Sequence, residues 1–194
     1  MDQSALRIID HHLEGVVTRI SPHQDERPGS EINLIVVHCI SLPESHFGSR
    51  FVDGLFMGTL DASEHKDLGD LVGLAVSAHV VIDREGAMVQ YVPFDRRAWH
   101  AGISVYDDRE RCNDFSIGIE LIGTDKSPFT EAQYRSLASV VKALAITYQI
   151  EPARIVGHSD IAPGRKTDPG PKFDWQRLKA VSYTHLTLPT TPYV

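Results

Sequence analysis

Residues 115–121 read FSIGIEL. Phe115, Ile117, Ile119 and Leu121 alternate with Ser116, Gly118 and Glu120. That is the period of two that sends successive side chains to opposite faces of a strand. One face is wholly apolar. The other carries two tiny side chains and then a carboxylate, so something can lie against the sheet beside Glu120. A carboxylate in such a place is costly unless it is paired or solvated in a cleft. Partial burial moves its pKa toward that of a general base; the plainer alternative is an edge-strand glutamate facing water.

On either side of this strand the chain alternates strand and helix signals. Residues 32–37 (INLIVV) are a short, β-branched apolar run, which predicts a buried strand ending at His38. In 75–93, Val76, Ala78, Val80 and Ile82 alternate with Ser77, His79, Val81 and Asp83, and the turn Arg84-Glu85-Gly86 leads into MVQYV, a β-hairpin pattern. Thr130 and Gln133 form a capping box. They open a helix to Tyr148 whose Leu137, Val140, Val141, Leu144, Ala145 and Tyr148 share one stripe. Residues 154–157 make a short strand into His158, followed by the Pro/Gly-rich IAPGRKTDPGP and a closing helix in FDWQRLKA. Between them, 41–74 is a long connection: a loop, a short helix within FVDGLFMGTL and an acidic, turn-rich stretch. Long ordered loops often carry function. Residues 1–30 are polar and read as an irregular arm, 31–180 as one domain. Residues 181–194 (VSYTHLTLPTTPYV) have no charge and no periodicity, and read as a non-native addition or a native tail.

Composition narrows the function classes. At roughly 150 residues per domain, 194 residues make one domain. A content of 42% hydrophobic and 23% charged residues is that of an ordinary globular chain and excludes collagen-like, disordered and coiled-coil classes. No apolar stretch approaches the about eighteen residues of a membrane span. A net charge of −7 argues against sequence-independent nucleic-acid binding. Two cysteines, Cys39 and Cys112, are too few for a disulfide framework, and the N-terminal residues lack a signal-peptide pattern, so the expected compartment is the cytoplasm. No obligate protein partner is evident.

Four of the 10 histidines stand in suggestive places. His38 and His158 end predicted strands, and Asp168 follows His158 in the KTDPG loop. Two imidazoles and a carboxylate suit a single zinc ion with one position open for water. The alternative is two satisfied histidines and a turn-capping aspartate, since no HExxH-type signature is present. Lys166, two residues before Asp168, would aim an ammonium at the same region, where it could stabilise an oxyanion, or it is a solvated loop lysine. Cys39 reads as a small hydrophobe rather than a nucleophile, because nothing in the sequence activates its thiol. His79 on the polar face of the hairpin, and Trp99 and His100 in a Gly-ended loop, are placed to line a groove.

Together VVHCISLP, SAHVVIDREGAMVQYVPFDRRAWHAG, RERCNDFSIGIELIG, GHSDIAPGRKTDPGP and FDW, in this order over about residues 20–178, resemble the zinc-dependent N-acetylmuramoyl-L-alanine amidases of the amidase-2 class. The resemblance implies a mixed α/β domain with a largely antiparallel central sheet flanked by helices. It implies one Zn²⁺ held by His38, His158 and Asp168, with Glu120 acting in catalysis, Lys166 assisting and Arg111 holding the peptide stem. It further implies hydrolysis of the bond between the muramoyl lactyl group and L-alanine, most specifically in soluble 1,6-anhydro-muropeptides of cell-wall recycling. A wall-lytic amidase and a non-catalytic peptidoglycan-binding protein are the alternatives. Two positions depart from the family pattern: Cys39 where Asn is usual and Ala75 where Arg is frequent. Both are associated with substrate contacts, so the grip on peptide carboxylates is the part of the inference they weaken.

Overall fold

The structure, a computed structural model, describes residues 5–183; the expected tail beyond Tyr183 lies outside the described residues. In chain order the elements are β1 (Ile8–Ile9), β2 (His12–Leu13), β3 (Val17–Thr18), β4 (Gln24–Glu26), β5 (Leu34–Ile40), α1 (Arg50–Phe56), β6 (Val80–Ile82), β7 (Met88–Gln90), β8 (Arg96–Ala98), β9 (Val105–Tyr106), β10 (Arg109–Glu110), β11 (Ser116–Ile122), α2 (Glu131–Tyr148), β12 (Ile155–Gly157), α3 (His158–Ile161) and α4 (Trp175–Tyr183). Short 3₁₀ segments occupy Ala62–Glu64 and Lys66–Leu71 in the long connection, and Cys112–Asp114 before β11.

Six strands form the central sheet in the order β12-β5-β11-β6-β7-β3. The sheet is mixed, as expected, but it is not largely antiparallel. Only β6 and β7, the predicted hairpin, run antiparallel; β12–β5, β5–β11, β11–β6 and β7–β3 are parallel. The reason lies in burial. Every residue of β11 is buried, and so are the first five of β5. Strands covered on both faces are joined by crossovers rather than hairpins, and α2 is the crossover from β11 to β12.

The alternation sorts the two faces over 116–121, while Phe115, expected on the same face as Ile117, packs instead with Leu34 and Val36 on the other. Ile117, Ile119 and Leu121, with Ile35, Val37, Val80 and Ile82, pack against Leu137, Val140, Val141 and Leu144 of α2. The Thr130–Gln133 capping box forms as predicted and starts that helix. On the opposite face α1 covers Val81 and Ile122 through Val52, Leu55 and Phe56. Between that patch and the cluster of Leu34, Val36, Phe115 and Ile161, the small-residue side of β11 is left to polar groups.

Two expectations are revised. β5 does not end at His38 but runs on to Ile40, because Leu121 and Ile122 of β11 continue to pair with Cys39 and Ile40. Residues 1–30 are not simply irregular: β3 joins the sheet edge and β4 pairs with β8, with Asp25 in a two-pronged ion pair with Arg97. These strands are too short and too polar for periodicity to betray them.

Candidate functional site

The parallel register places Glu120 beside His38 on the same face of neighbouring strands. His158 is the first residue of α3, directly after β12, which pairs with the other edge of β5. Asp168 is brought back by the loop after α3, where its carbonyl accepts from Ser159 N at 3.0 Å. Three residues spread over 130 positions thus converge. His38 Nδ1 lies 3.0 Å from His158 Nδ1 and 3.1 Å from Asp168 Oδ2, and His158 Nδ1 lies 3.2 Å from the same oxygen.

Both histidines are buried, at 1% and 3% exposure. Burial drives the His38 pKa down to about 4, so the ring is neutral near pH 7, the state a metal ligand needs. Asp168 is held well below the usual carboxylate range: burial opposes its ionisation, and the His158 and His38 nitrogens outweigh it. The far nitrogens of both rings are engaged, His38 Nε2 with His100 Nδ1 at 2.9 Å and His158 Nε2 with the Ala101 carbonyl at 3.0 Å. With the Nε2 hydrogens in those bonds, each Nδ1 turns a lone pair toward Asp168 Oδ2. Three acceptors then meet at one point, which only a cation or shared protons can balance. The separations are close to the about 3.3 Å edge of a tetrahedron with bonds of about 2.0 Å. The nitrogen-and-oxygen donor set, without thiolate, fits zinc.

Glu120 is 8% exposed, and its Oε2 is buried with no hydrogen-bond partner. Burial raises its pKa well above the ordinary value, the nearby Asp168 charge adds to this, and Lys166 works against both. Lys166 itself is exposed on the loop that carries Asp168. The edge-strand reading of Glu120 does not hold, since β11 is central in the sheet.

The other expected site residues divide. Trp99 is half-buried with the Arg97 guanidinium 4.4 Å from its ring centre. Arg111 adopts a left-handed backbone (φ +61°), and its side chain, 69% exposed, pairs with Asp114 at 3.1 Å. Cys39 is half-buried, and burial, with Glu120 and Asp168 nearby, pushes its thiol far up, so it is no nucleophile. His100 stacks edge-on against His38 and bonds to it, facing the cluster rather than open solvent. His79 does not line a groove: it is 0% exposed, its Nδ1 accepts from Gly118 N at 3.0 Å and its Nε2 donates to the Arg96 carbonyl at 3.1 Å. A mid-strand histidine on a polar face looked available, but the 99–102 loop covers that face.

Asn113, Arg165 and Arg27 were not anticipated. Asn113 Oδ1 accepts from both His100 N and Ala101 N; Arg165 donates to the carbonyls of Ala101 and Ile103. Such contacts to backbone leave no periodic trace. The one usable signal was the tiny side chain at Gly118. A Cβ there would lie 2.6 Å from His100 Nδ1 and 2.7 Å from its Cδ2.

Residues 28–171 match the amidase-2 family model, described as N-acetylmuramoyl-L-alanine amidase. The chain is 56% identical over 165 residues to the 1,6-anhydro-N-acetylmuramyl-L-alanine amidase AmpD of Enterobacter cloacae, covering 84% of this chain and 88% of that protein. It superposes on the crystal structure of a selenomethionine AmpD derivative with a TM-score of 0.87 at 52% identity, over 90% of this chain and 98% of that one. A more distant likeness is to AmiD from E. coli, solved in complex with the substrate anhydro-N-acetylmuramic acid-L-Ala-D-γ-Glu-L-Lys. Its TM-score is 0.58 at 28% identity, covering 91% of this chain and 65% of that one.

Proposed function

Because the chain belongs to the amidase-2 family of N-acetylmuramoyl-L-alanine amidases, we propose that it cleaves the amide between the lactyl group of N-acetylmuramic acid and L-alanine in 1,6-anhydro-muropeptides, in the cytoplasm, during cell-wall recycling. The single observation that carries the chemistry is the convergence of His38 Nδ1, His158 Nδ1 and Asp168 Oδ2 within 3.2 Å, beside a buried carboxyl with an unpartnered oxygen. The substrate class follows the AmpD relatives, whose names specify the 1,6-anhydro form.

In this reading His38, His158 and Asp168 hold one Zn²⁺. Bound there, zinc supplies Lewis acidity toward a carbonyl oxygen and toward water. The remaining work falls to the chain. Glu120 Oε2 accepts the proton of the attacking water and returns it to the nitrogen of the departing L-alanine. Its unpartnered oxygen supports this role, since no internal hydrogen bond has to break first. Lys166 offers an ammonium to the oxyanion of the tetrahedral carbon. Arg111, largely exposed, takes an acidic group of the stem peptide, and Trp99 lends an apolar wall. Cys39 leaves the substrate one amide contact short of the usual family pattern.

The test is zinc content together with mass-spectrometric detection of free L-Ala-peptide, from anhydro-muropeptide and from intact sacculi in parallel. The expected result is one zinc per chain and faster release from the soluble substrate. Faster release from sacculi would favour a wall-lytic enzyme, and zinc without release would indicate a binding protein.

A further inference from the structure

The two proposed zinc-holding histidines rest their far nitrogens on adjacent residues, one each. His38 Nε2 meets His100 Nδ1 at 2.9 Å, and His158 Nε2 meets the Ala101 carbonyl at 3.0 Å. His100 is pinned in turn: its Nε2 lies 3.3 Å from Ser116 Oγ, its ring fills the space above Gly118, and His79 stacks edge-on against it. The Ala101 carbonyl is shared with Arg165 Nη2 at 2.7 Å, so the acceptor is already oriented before His158 reaches it. The backbone N–H groups of His100 and Ala101 are both held by one side chain. Asn113 Oδ1, 4% exposed, accepts from His100 N at 3.1 Å and from Ala101 N at 2.8 Å.

We propose that Asn113, which touches neither histidine ring, is a positioning residue. By gripping the N–H groups of His100 and Ala101 it places the His100 ring and, together with Arg165, the Ala101 carbonyl, and so fixes His38 and His158 as Nε2–H tautomers with both Nδ1 atoms aimed at the metal point. The inference rests on the zinc reading above and extends it to a residue outside the ligand set. A ligating imidazole is oriented by the partner of its other nitrogen, and removing such a partner typically weakens metal binding by about 10–100-fold. Here one residue governs two such partners.

The experiment compares zinc dissociation constants, measured by competition with a chelating dye, for the wild type, Asn113→Leu and Asn113→Asp. Leucine keeps the volume and loses the acceptor; aspartate keeps the acceptor oxygen. Asn113→Leu is expected to bind zinc at least about tenfold more weakly, and Asn113→Asp within about threefold of wild type. A merely structural role would lower the melting temperature of the two variants without separating their zinc affinities. A folded Asn113→Leu variant that binds zinc as tightly as wild type overturns the proposal. A wild type that takes up no zinc overturns the functional reading and this proposal with it. Should Asn113→Leu not fold, the zinc-loaded wild type still decides. Long-range ¹H–¹⁵N correlation spectra are expected to report both rings as Nδ1-coordinated with a proton on Nε2, and Nε2 coordination of either overturns the proposal.

Discussion

Glu120 joins two demands that usually conflict. In the proposed role it must be charged to accept a proton, yet it is buried in the middle strand with one oxygen unpartnered. Burial and the Asp168 charge hold its carboxyl protonated to a higher pH than usual, and Lys166 opposes them. Two outcomes follow at this scale. In the proposed role, Glu120→Gln keeps its zinc and loses about 10²–10⁴ in kcat; a loss under about tenfold with zinc retained removes Glu120 from proton transfer. In the metal-free chain the sign is set by linkage. An acid with a raised folded pKa contributes stability that is complete below its unfolded pKa and lost as pH rises through the folded one. Urea unfolding should therefore show Glu120→Gln gaining on the wild type as pH rises above the ordinary carboxylate range; parallel curves for the two proteins would contradict the raised direction.

At the scale of elements, β11 organises both the core and the site, and its alternation explains how. The apolar side chains of Ile117, Ile119 and Leu121 meet α2, while Ser116 and Gly118 face His100 and Glu120 stands beside His38. Gly118 is required by close approach rather than by its backbone angles, for a methyl group there would enter the His100 ring. Gly118→Ala is thus expected to destabilise by about 1–3 kcal/mol in chemical unfolding, as overpacking does. It should also loosen zinc, because the displaced ring is the one that meets His38. A variant with unchanged stability and affinity would show that the ring has other room. The small-residue face was legible in the sequence as space beside a carboxylate. What fills the space was not, because His100 arrives from a loop with no periodicity of its own.

For the whole molecule, one buried cation of the N-terminal arm, Arg27, adds to the strand pairings that tie the arm in. Arg27 donates to the carbonyls of Phe94, Asn113, Asp114 and Ser116, and burial lowers its pKa to about 10. Removing it leaves several buried acceptors without this donor, at about 1–3 kcal/mol for each that stays unsatisfied. Arg27→Met should cost at least about 2 kcal/mol in a urea titration, and a loss below about 0.5 kcal/mol would mean that water replaces the guanidinium freely. Local pattern by itself determined the strand within 115–121, the hairpin around Gly86, the capped helix from Thr130 to Tyr148 and the closing helix, since each is stabilised by residues a few positions apart whose spacing repeats. Family motifs named His38, His158, Asp168, Glu120 and Lys166. Only the tertiary structure decided that the sheet is mainly parallel, that His38 sits inside β5, that His79 is sealed away and that Asn113 and Arg27 matter. The physical reason is common to all four: strand pairing across crossovers, burial under a loop, and hydrogen bonds to distant backbone are interactions between segments remote in sequence. Such interactions leave no spacing for a reader of the sequence to count.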